Sequence, residues 1–190
     1  MKATFSLLVA VLAAPASLSA QLVVQPEAKL TSEQQTVRSS LYQLRDTLLL
    51  VEAASARIAR DLNGASDAAL RSRARVMAQR CQAALVQTDS TRTVVTRGAL
   101  PEPDPQKVRS NLDRALSDLR TQLKSCISEF DGLTDPAKSQ ELRGYGIGKG
   151  NKVRTAIENY RPPASRYFRF TFNQQYWPNT TGAGATPSKP

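Results

Sequence analysis

The chain has 190 residues, 26 of them basic and 16 acidic, with a formal net charge of +10. This is the length of one domain. The chain contains no histidine, so it lacks the commonest general base and the commonest protein ligand of zinc and haem iron. We therefore expect neither a metal site nor a cofactor. The positive excess lies in residues 66–97 and 136–190, which indicates a basic face and a basic end.

Residues 1–20 have the layout of a secretory signal peptide of bacterial type. Lys2 provides a positive start, an apolar run begins at Phe5, and Pro15 precedes small residues that end at Ala20. The run is too short to span a bilayer. We expect cleavage after Ala20, a lead-in over residues 21–30, no transmembrane span in the remaining chain, and a periplasmic or secreted location.

A first long helix is predicted over residues 31–62. Its start carries a candidate capping box formed by Ser32 and Gln35, and Asn63 with Gly64 closes its end. The seam positions alternate steps of four and three, which is the spacing of a coiled coil. They are Val37, Leu41, Leu44, Leu48, Val51, Ser55, Ile58 and Leu62.

Two further helices are predicted on either side of a proline-rich turn at residues 101–105. The second extends from a cap at Ser66 to about residue 97, and the third from a cap at Asp104 to Gly132. The seam of the second helix is Leu70, Ala74, Met77, Cys81, Ala84, Thr88, Thr91 and Val95. That of the third is Val108, Leu112, Ala115 or Leu116, Leu119, Leu123, Cys126 and Phe130.

Cys81 and Cys126 are the only cysteines, and both fall on predicted seams. The midpoint between them lies at the proline-rich turn, so an antiparallel hairpin would place the two at similar height. Because exported cysteines usually pair, we expect a structural disulfide at this position. The alternative is a pair of free thiols packed as small hydrophobic groups.

After Gly132 the pattern changes. We expect a short helix to about residue 143, a glycine-rich hinge at 144–150, and a second short helix over 151–160 that Pro162 and Pro163 end. The stretch GYGIGKG resembles a phosphate-binding loop only superficially. It has Arg143 where that pattern needs glycine, and Gly150 where it needs serine or threonine.

Six of the chain's aromatic residues lie in positions 165–177. Phe168, Phe170 and Phe172 alternate with Tyr167, Arg169 and Thr171. This alternation predicts an extended strand with the phenylalanines on one side. A lone strand must cover its own bundle or pair with another protein, and we favour the first interpretation. The candidate docking residues are Phe168, Phe170, Phe172, Tyr176 and Trp177. Residues 178–190 have little to bury and are predicted to be a disordered tail.

The predicted fold is therefore all-α: an elongated, antiparallel, three-helix, coiled-coil-like bundle over residues 31–132. Residues 133–177 would add the glycine-rich hinge, short C-terminal helices and the extended aromatic segment. Because the first helix is rich in leucine and neutral, it is also a candidate surface for self-association.

Basic residues provide the candidate binding site for anions. The side chains assigned to it are Arg71, Arg73, Arg75, Arg80, Arg161, Arg166 and Arg169. Guanidinium groups bind phosphate and carboxylate well, so an anionic lipid headgroup, envelope polysaccharide or acidic protein patch would suit them. We expect no nucleic-acid partner, because exported proteins rarely meet nucleic acid.

No residue shows the pattern of a catalytic centre. We therefore expect a non-catalytic helical protein that interacts with, or scaffolds, components of the bacterial cell envelope. A basic module that binds anionic lipid headgroups or polysaccharide is the alternative, and an enzyme without recognisable motifs is a third interpretation.

Overall fold

The computed structural model describes residues 30–97 and 107–177. Four long helices account for most of them: α1 (Ser32–Asp61), α2 (Asp67–Arg97), α3 (Val108–Gly132) and α4 (Ser139–Phe172). A single 3-10 turn, Pro136–Lys138, leads into α4. The signal peptide, nearly all of the lead-in, the proline-rich turn with its cap at Asp104, and the C-terminal tail lie outside the described residues.

The three predicted seams form the centre of the bundle. Every seam position of α1 and α2 is buried, and on α3 the buried alternative is Leu116 while Ala115 is only partly covered. At the start of α1 the capping box lies one residue earlier than predicted. Thr31 accepts a hydrogen bond from the backbone of Gln34, and the Gln34 side chain accepts one from the backbone N–H of Thr31.

Helices α1 and α2 run antiparallel and share a polar layer inside the apolar core. The hydroxyls of Ser40 and Thr91 lie 2.9 Å apart, and both side chains are buried. Gln87 donates to the backbone carbonyl of Ser40 over 3.3 Å. Because a shift in helix register would leave these buried groups unpaired, the layer favours one alignment of α1 against α2.

Helices α2 and α3 also run antiparallel, and the predicted disulfide between Cys81 and Cys126 joins them. Both cysteines are buried. Two ion pairs bridge the helices farther towards the turn, Arg92 with Asp113 at 2.7 Å and Arg120 with Asp89 at 2.6 Å. The hairpin is therefore tied by a covalent bond in its core and by charges along its flank.

The structure contradicts the predicted hinge at residues 144–150, because these residues form part of α4. Glycine weakens a helix intrinsically, but tertiary packing stabilises most helices in proteins. Gly150 illustrates the packing: a Cβ added there would lie 2.5 Å from the Oγ of Ser55 on α1. The glycine thus permits a close approach of α4 to α1.

Pro162 and Pro163 do not end the helix, contrary to the sequence-based expectation, and both lie inside α4. Proline removes a helical N–H and crowds the preceding turn, which usually kinks or breaks a helix. Here the neighbouring turns are held by burial, since Tyr160 and Ala164 are almost inaccessible to solvent. Packing on both sides of the proline pair keeps the helix continuous.

The predicted aromatic strand is wrong for the same reason, since residues up to Phe172 are helical. Residues four apart share a helix face, so Phe168 and Phe172 are both buried while Phe170 is 42% exposed. Asn173 then adopts a left-handed conformation with φ of 52°. The chain turns there, and Tyr176 and Trp177 return to the bundle and are buried.

Helix α4 contacts both α3 and α1 and closes the bundle. The predicted three-helix arrangement is therefore not confirmed, although the fold is all-α. In the described residues, successive helices run antiparallel and a common core joins all four. None of the described helices combines the length and hydrophobicity that a membrane span requires.

Candidate interaction surfaces

The aromatic residues of the C-terminal segment form a cluster between α1 and α4. We use "aromatic cluster" for Tyr42, Tyr160, Phe168, Phe172, Tyr176 and Trp177. The ring centroids of Phe168 lie 4.9 Å from Tyr42, 4.8 Å from Phe172 and 5.0 Å from Tyr176. Four of the five predicted docking residues thus belong to this internal cluster, and only Phe170 is exposed.

Tyr176 is held at both its hydroxyl and its backbone. The hydroxyl donates to the backbone carbonyl of Leu41 over 2.6 Å and lies 3.1 Å from the hydroxyl of Tyr160. Arg45 donates to the carbonyl of Tyr176 over 3.1 Å. Burial raises the pKa of both Tyr160 and Tyr176 above the usual value for tyrosine. Both phenols therefore stay neutral and act as structural hydrogen-bonding groups.

Arg161, a predicted anion-binding residue, is occupied within the fold. Its Nη2 donates to both carboxylate oxygens of Glu52, at 2.6 and 2.7 Å. Its guanidinium carbon lies 4.7 Å from the ring centroid of Trp177. The side chain therefore joins α4, α1 and the C-terminal segment, and has little capacity for an external anion.

The four predicted arginines of α2 do not form one surface. At about 100° per residue, Arg71 and Arg75 lie towards α3, whereas Arg73 and Arg80 lie towards α1. Arg73 pairs with Asp61 at the end of α1, and Arg71 also has a partner. Arg75 and Arg80 are exposed, on different sides of the helix. The four arginines are close in sequence, but they do not concentrate positive charge on one face of α2.

Arg143 has a structural role that the sequence analysis did not identify. It donates to the backbone carbonyls of Leu62 and Ala65, at 2.7 and 2.8 Å, and pairs with Asp67 at 2.6 Å. The last carbonyls of a helix lack intrahelical donors, so Arg143 from α4 caps the end of α1 and holds the turn into α2.

An open groove of about 830 Å³ lies along the outer seam between α3 and α4. Its floor contains Ala115, Ala156 and Tyr160, whose ring is buried. The α3 wall carries Asn111, Arg114, Asp118 and Gln122. The α4 wall carries Gly148, Asn151, Lys152, Thr155, Asn159, Pro162, Pro163 and Arg166. The small side chains of Ala115 and Ala156 let the two helices approach while leaving a depression above them.

The charge in the groove is mainly positive, with Arg114, Lys152 and Arg166 against Asp118. Arg114 and Arg166 are exposed and make no ion pair or side-chain hydrogen bond within the described chain. Lys152 lies 3.4 Å from Glu129 but remains largely exposed. Of the seven predicted anion-binding arginines, only Arg166 lies in this groove, and Arg169 is exposed nearby on α4.

The helical proline pair changes the backbone hydrogen bonding beside the groove. Proline lacks a backbone N–H, so the carbonyls of Glu158 and Asn159 lose the donors that residues four positions later would normally supply. Asn159 lines the groove together with Pro162 and Pro163, so of these two carbonyls it is that of Asn159 that belongs to a lining residue. The groove was not predicted from the sequence, because the two prolines were expected to end a helix.

The described residues contain no group of three or more histidine, cysteine, aspartate or glutamate side chains placed to hold a metal ion. No protein-family model, no curated protein and no solved structure matches the chain.

Proposed function

We propose that this protein is an exported, non-catalytic helical bundle that binds another protein of the bacterial cell envelope. The contact surface in this proposal is the groove between α3 and α4. The observation that carries this proposal is the difference between the packed interior of the bundle and the polar, solvent-exposed groove. Side chains fill the interior, whereas the groove presents unpaired cations and polar groups to solvent.

Export is supported by two separate features. Residues 1–20 have the charge, apolar run and small residues of a signal peptide. The buried Cys81–Cys126 disulfide is of a kind that persists in oxidising compartments such as the periplasm. Fractionation of cells that express the full chain tests this part. Recovery of reduced, uncleaved protein in the cytoplasm would contradict it.

An in-cell photocrosslink tests the contact surface. A crosslinking amino acid replaces Thr155 in the groove, and a matched variant carries it at Gln82, which is exposed on α2. We expect a discrete protein adduct from position 155 that is absent from position 82. Equal adducts from both positions, or none from position 155, would count against a partner protein in the groove.

A module for anionic surfaces is the second candidate. It is supported by Arg75, Arg80, Arg166 and Arg169, which are exposed and have no ion-pair partner among the described residues. Their distribution over several faces favours weak, salt-sensitive attraction over docking on one flat surface. Cosedimentation with anionic vesicles that is abolished by salt, together with no protein adduct from position 155, would favour this candidate.

A further inference from the structure

We infer that the groove between α3 and α4 binds an extended peptide segment with acidic residues towards both ends and none at its centre. This inference rests on the proposed function and specifies the chemistry of the partner. It follows from the length of the groove, its exposed amides and carbonyls, and the order of its charges.

The length of the groove suits a short extended segment. On α3 the lining residues extend from Val108 to Gln122, which is about 21 Å at 1.5 Å per residue. An extended chain advances about 3.3 Å per residue, so about six residues span this distance. A helix spanning the same distance would need about fourteen residues, more than twice as many.

The walls offer groups that match a peptide backbone. Asn111, Gln122, Asn151 and Asn159 line the groove, and none of their side-chain amides is used in a hydrogen bond within the described chain. Each amide offers both donors and an acceptor, as a peptide group does. The carbonyl of Asn159, which Pro163 leaves without its usual helical donor, adds an acceptor for a backbone N–H group. An extended strand, whose backbone groups are unpaired, can use both kinds of partner.

The charges occur in a definite order along the groove. Arg114 and Arg166 lie towards the end near Val108, and Lys152 lies towards the end near Gln122. Along α3, Asp118 lies between these two ends. Acidic side chains at both ends of a bound segment would therefore be attracted, whereas an acidic side chain at its centre would be repelled by Asp118.

An anionic polysaccharide fits less well. The C–H face of a sugar ring commonly packs on an exposed aromatic ring, and the aromatic residue of this groove, Tyr160, is only 1% exposed. Free amides and arginines can bind either a polysaccharide or a peptide. Because the described groove lining presents no exposed aromatic ring to a sugar, the peptide is the better match. Polysaccharide binding is retained as an outcome of the experiment.

The test uses the exported protein and three fluorescein-labelled heptapeptides of glycine and serine. One carries two glutamates five positions apart, one carries two adjacent glutamates at its centre, and one carries glutamines instead. We expect fluorescence anisotropy at physiological salt to show the end-charged peptide binding about tenfold more tightly than the centre-charged one, a difference of about 1.4 kcal/mol. Equal affinities would overturn the inference, since a diffuse positive field does not discriminate between them.

Variants assign the binding to the groove. Arg114→Ala with Arg166→Ala should weaken the end-charged peptide about tenfold or more, whereas Arg75→Ala with Arg80→Ala removes the same charge from α2 and should have little effect. Asp118→Asn should improve binding of the centre-charged peptide. All five side chains are solvent-accessible, and circular dichroism verifies the fold. Equal losses from both double variants would contradict the assignment.

A labelled polyuronic acid separates the two ligand classes. If it binds more tightly than the end-charged peptide and depends on Arg114 and Arg166, the groove is a polysaccharide site and the peptide inference is wrong. The proposed function fails separately. A protein crosslinked from position 155, with no preference among the peptides, would support the partner protein and overturn only the inferred chemistry.

Discussion

The Tyr176 hydroxyl donates a hydrogen bond to the Leu41 carbonyl over 2.6 Å, across 135 positions of sequence. Leu41 lies within α1, where helical carbonyls normally accept from the residue four positions later. The tyrosine thus adds a second donor to a helical carbonyl in the core. Tyr176 lies beyond α4, so this contact attaches the C-terminal segment to the first helix.

Replacing Tyr176 with phenylalanine removes this bond and leaves the buried Tyr160 hydroxyl without its partner. We expect Tyr176→Phe to lower the free energy of unfolding by about 1–3 kcal/mol, as measured by urea denaturation. Tyr160→Phe is the matched control and should cost less, because the bond from Tyr176 to Leu41 remains. A larger loss in the control would contradict the assigned order.

Trp177 is the sole tryptophan, so its fluorescence reports on the contact with Arg161. Arg161→Ala should expose the indole to water and shift its emission to longer wavelength. We also expect a loss of about 1–2 kcal/mol in unfolding free energy, because Glu52 is left partly buried without its partner. Arg169→Ala, at an exposed position, is the control. An unchanged emission spectrum in Arg161→Ala would exclude the stacked arrangement.

Gly150 and Gly144 should respond differently to replacement by alanine. Gly144 has open space around it, so Gly144→Ala should stabilise the protein by about 0.5–1 kcal/mol through helix propensity. Gly150→Ala should gain less or destabilise, because the new methyl meets the Ser55 hydroxyl. Adding Ser55→Ala should restore the gain. Thermal unfolding of the wild type, Gly150→Ala, Ser55→Ala and the double variant measures the coupling. Additive effects would contradict the close approach of Gly150 to Ser55.

The disulfide closes a loop with a sequence separation of 45. On the chain-entropy account, replacing both cysteines with alanine should lower the free energy of unfolding by about 4 kcal/mol. Chemical denaturation of the double variant measures the loss. Mass spectrometry of the exported protein, after alkylation without reductant, provides the control. Two alkylated cysteines would contradict the bridge.

Glu129 should make the bundle sensitive to acid. Burial opposes its ionisation most strongly, but Lys149, a hydrogen bond from Ser125 and Lys152 outweigh burial and hold the pKa of Glu129 below its usual value. A lowered folded-state pKa contributes stability above the unfolded value of about 4.3, and this is lost as pH falls through the folded pKa.

The measurement compares unfolding free energies of the wild type and Glu129→Gln between about pH 6 and pH 3. We expect the difference between the two proteins to shrink as the pH falls. Glu33→Gln, at an exposed position on α1, serves as the control. A difference that stays constant down to pH 3 would show that Glu129 does not contribute through its charge.

The seams of α1, α2 and α3, and the pairing of Cys81 with Cys126, were determined by sequence alone. Their apolar residues recur at helical spacing, and this local pattern survives in almost any bundle that buries it. The same reasoning failed for residues 144–172. There Gly150, the proline pair and the alternating phenylalanines favour other structures locally, and the helix forms through contacts with distant side chains.

Tertiary structure decided which individual charged and aromatic residues are buried or paired and which remain exposed. Arg161 and Phe170 illustrate the division. The sequence placed both in candidate binding sets, but Arg161 is occupied by Glu52 while Phe170 remains exposed. The groove between α3 and α4 likewise requires residues about fifty positions apart to meet. Periodicity determines which face of a helix is buried, whereas the pairing of helices determines which polar groups remain free, because pairing depends on contacts that no single segment contains.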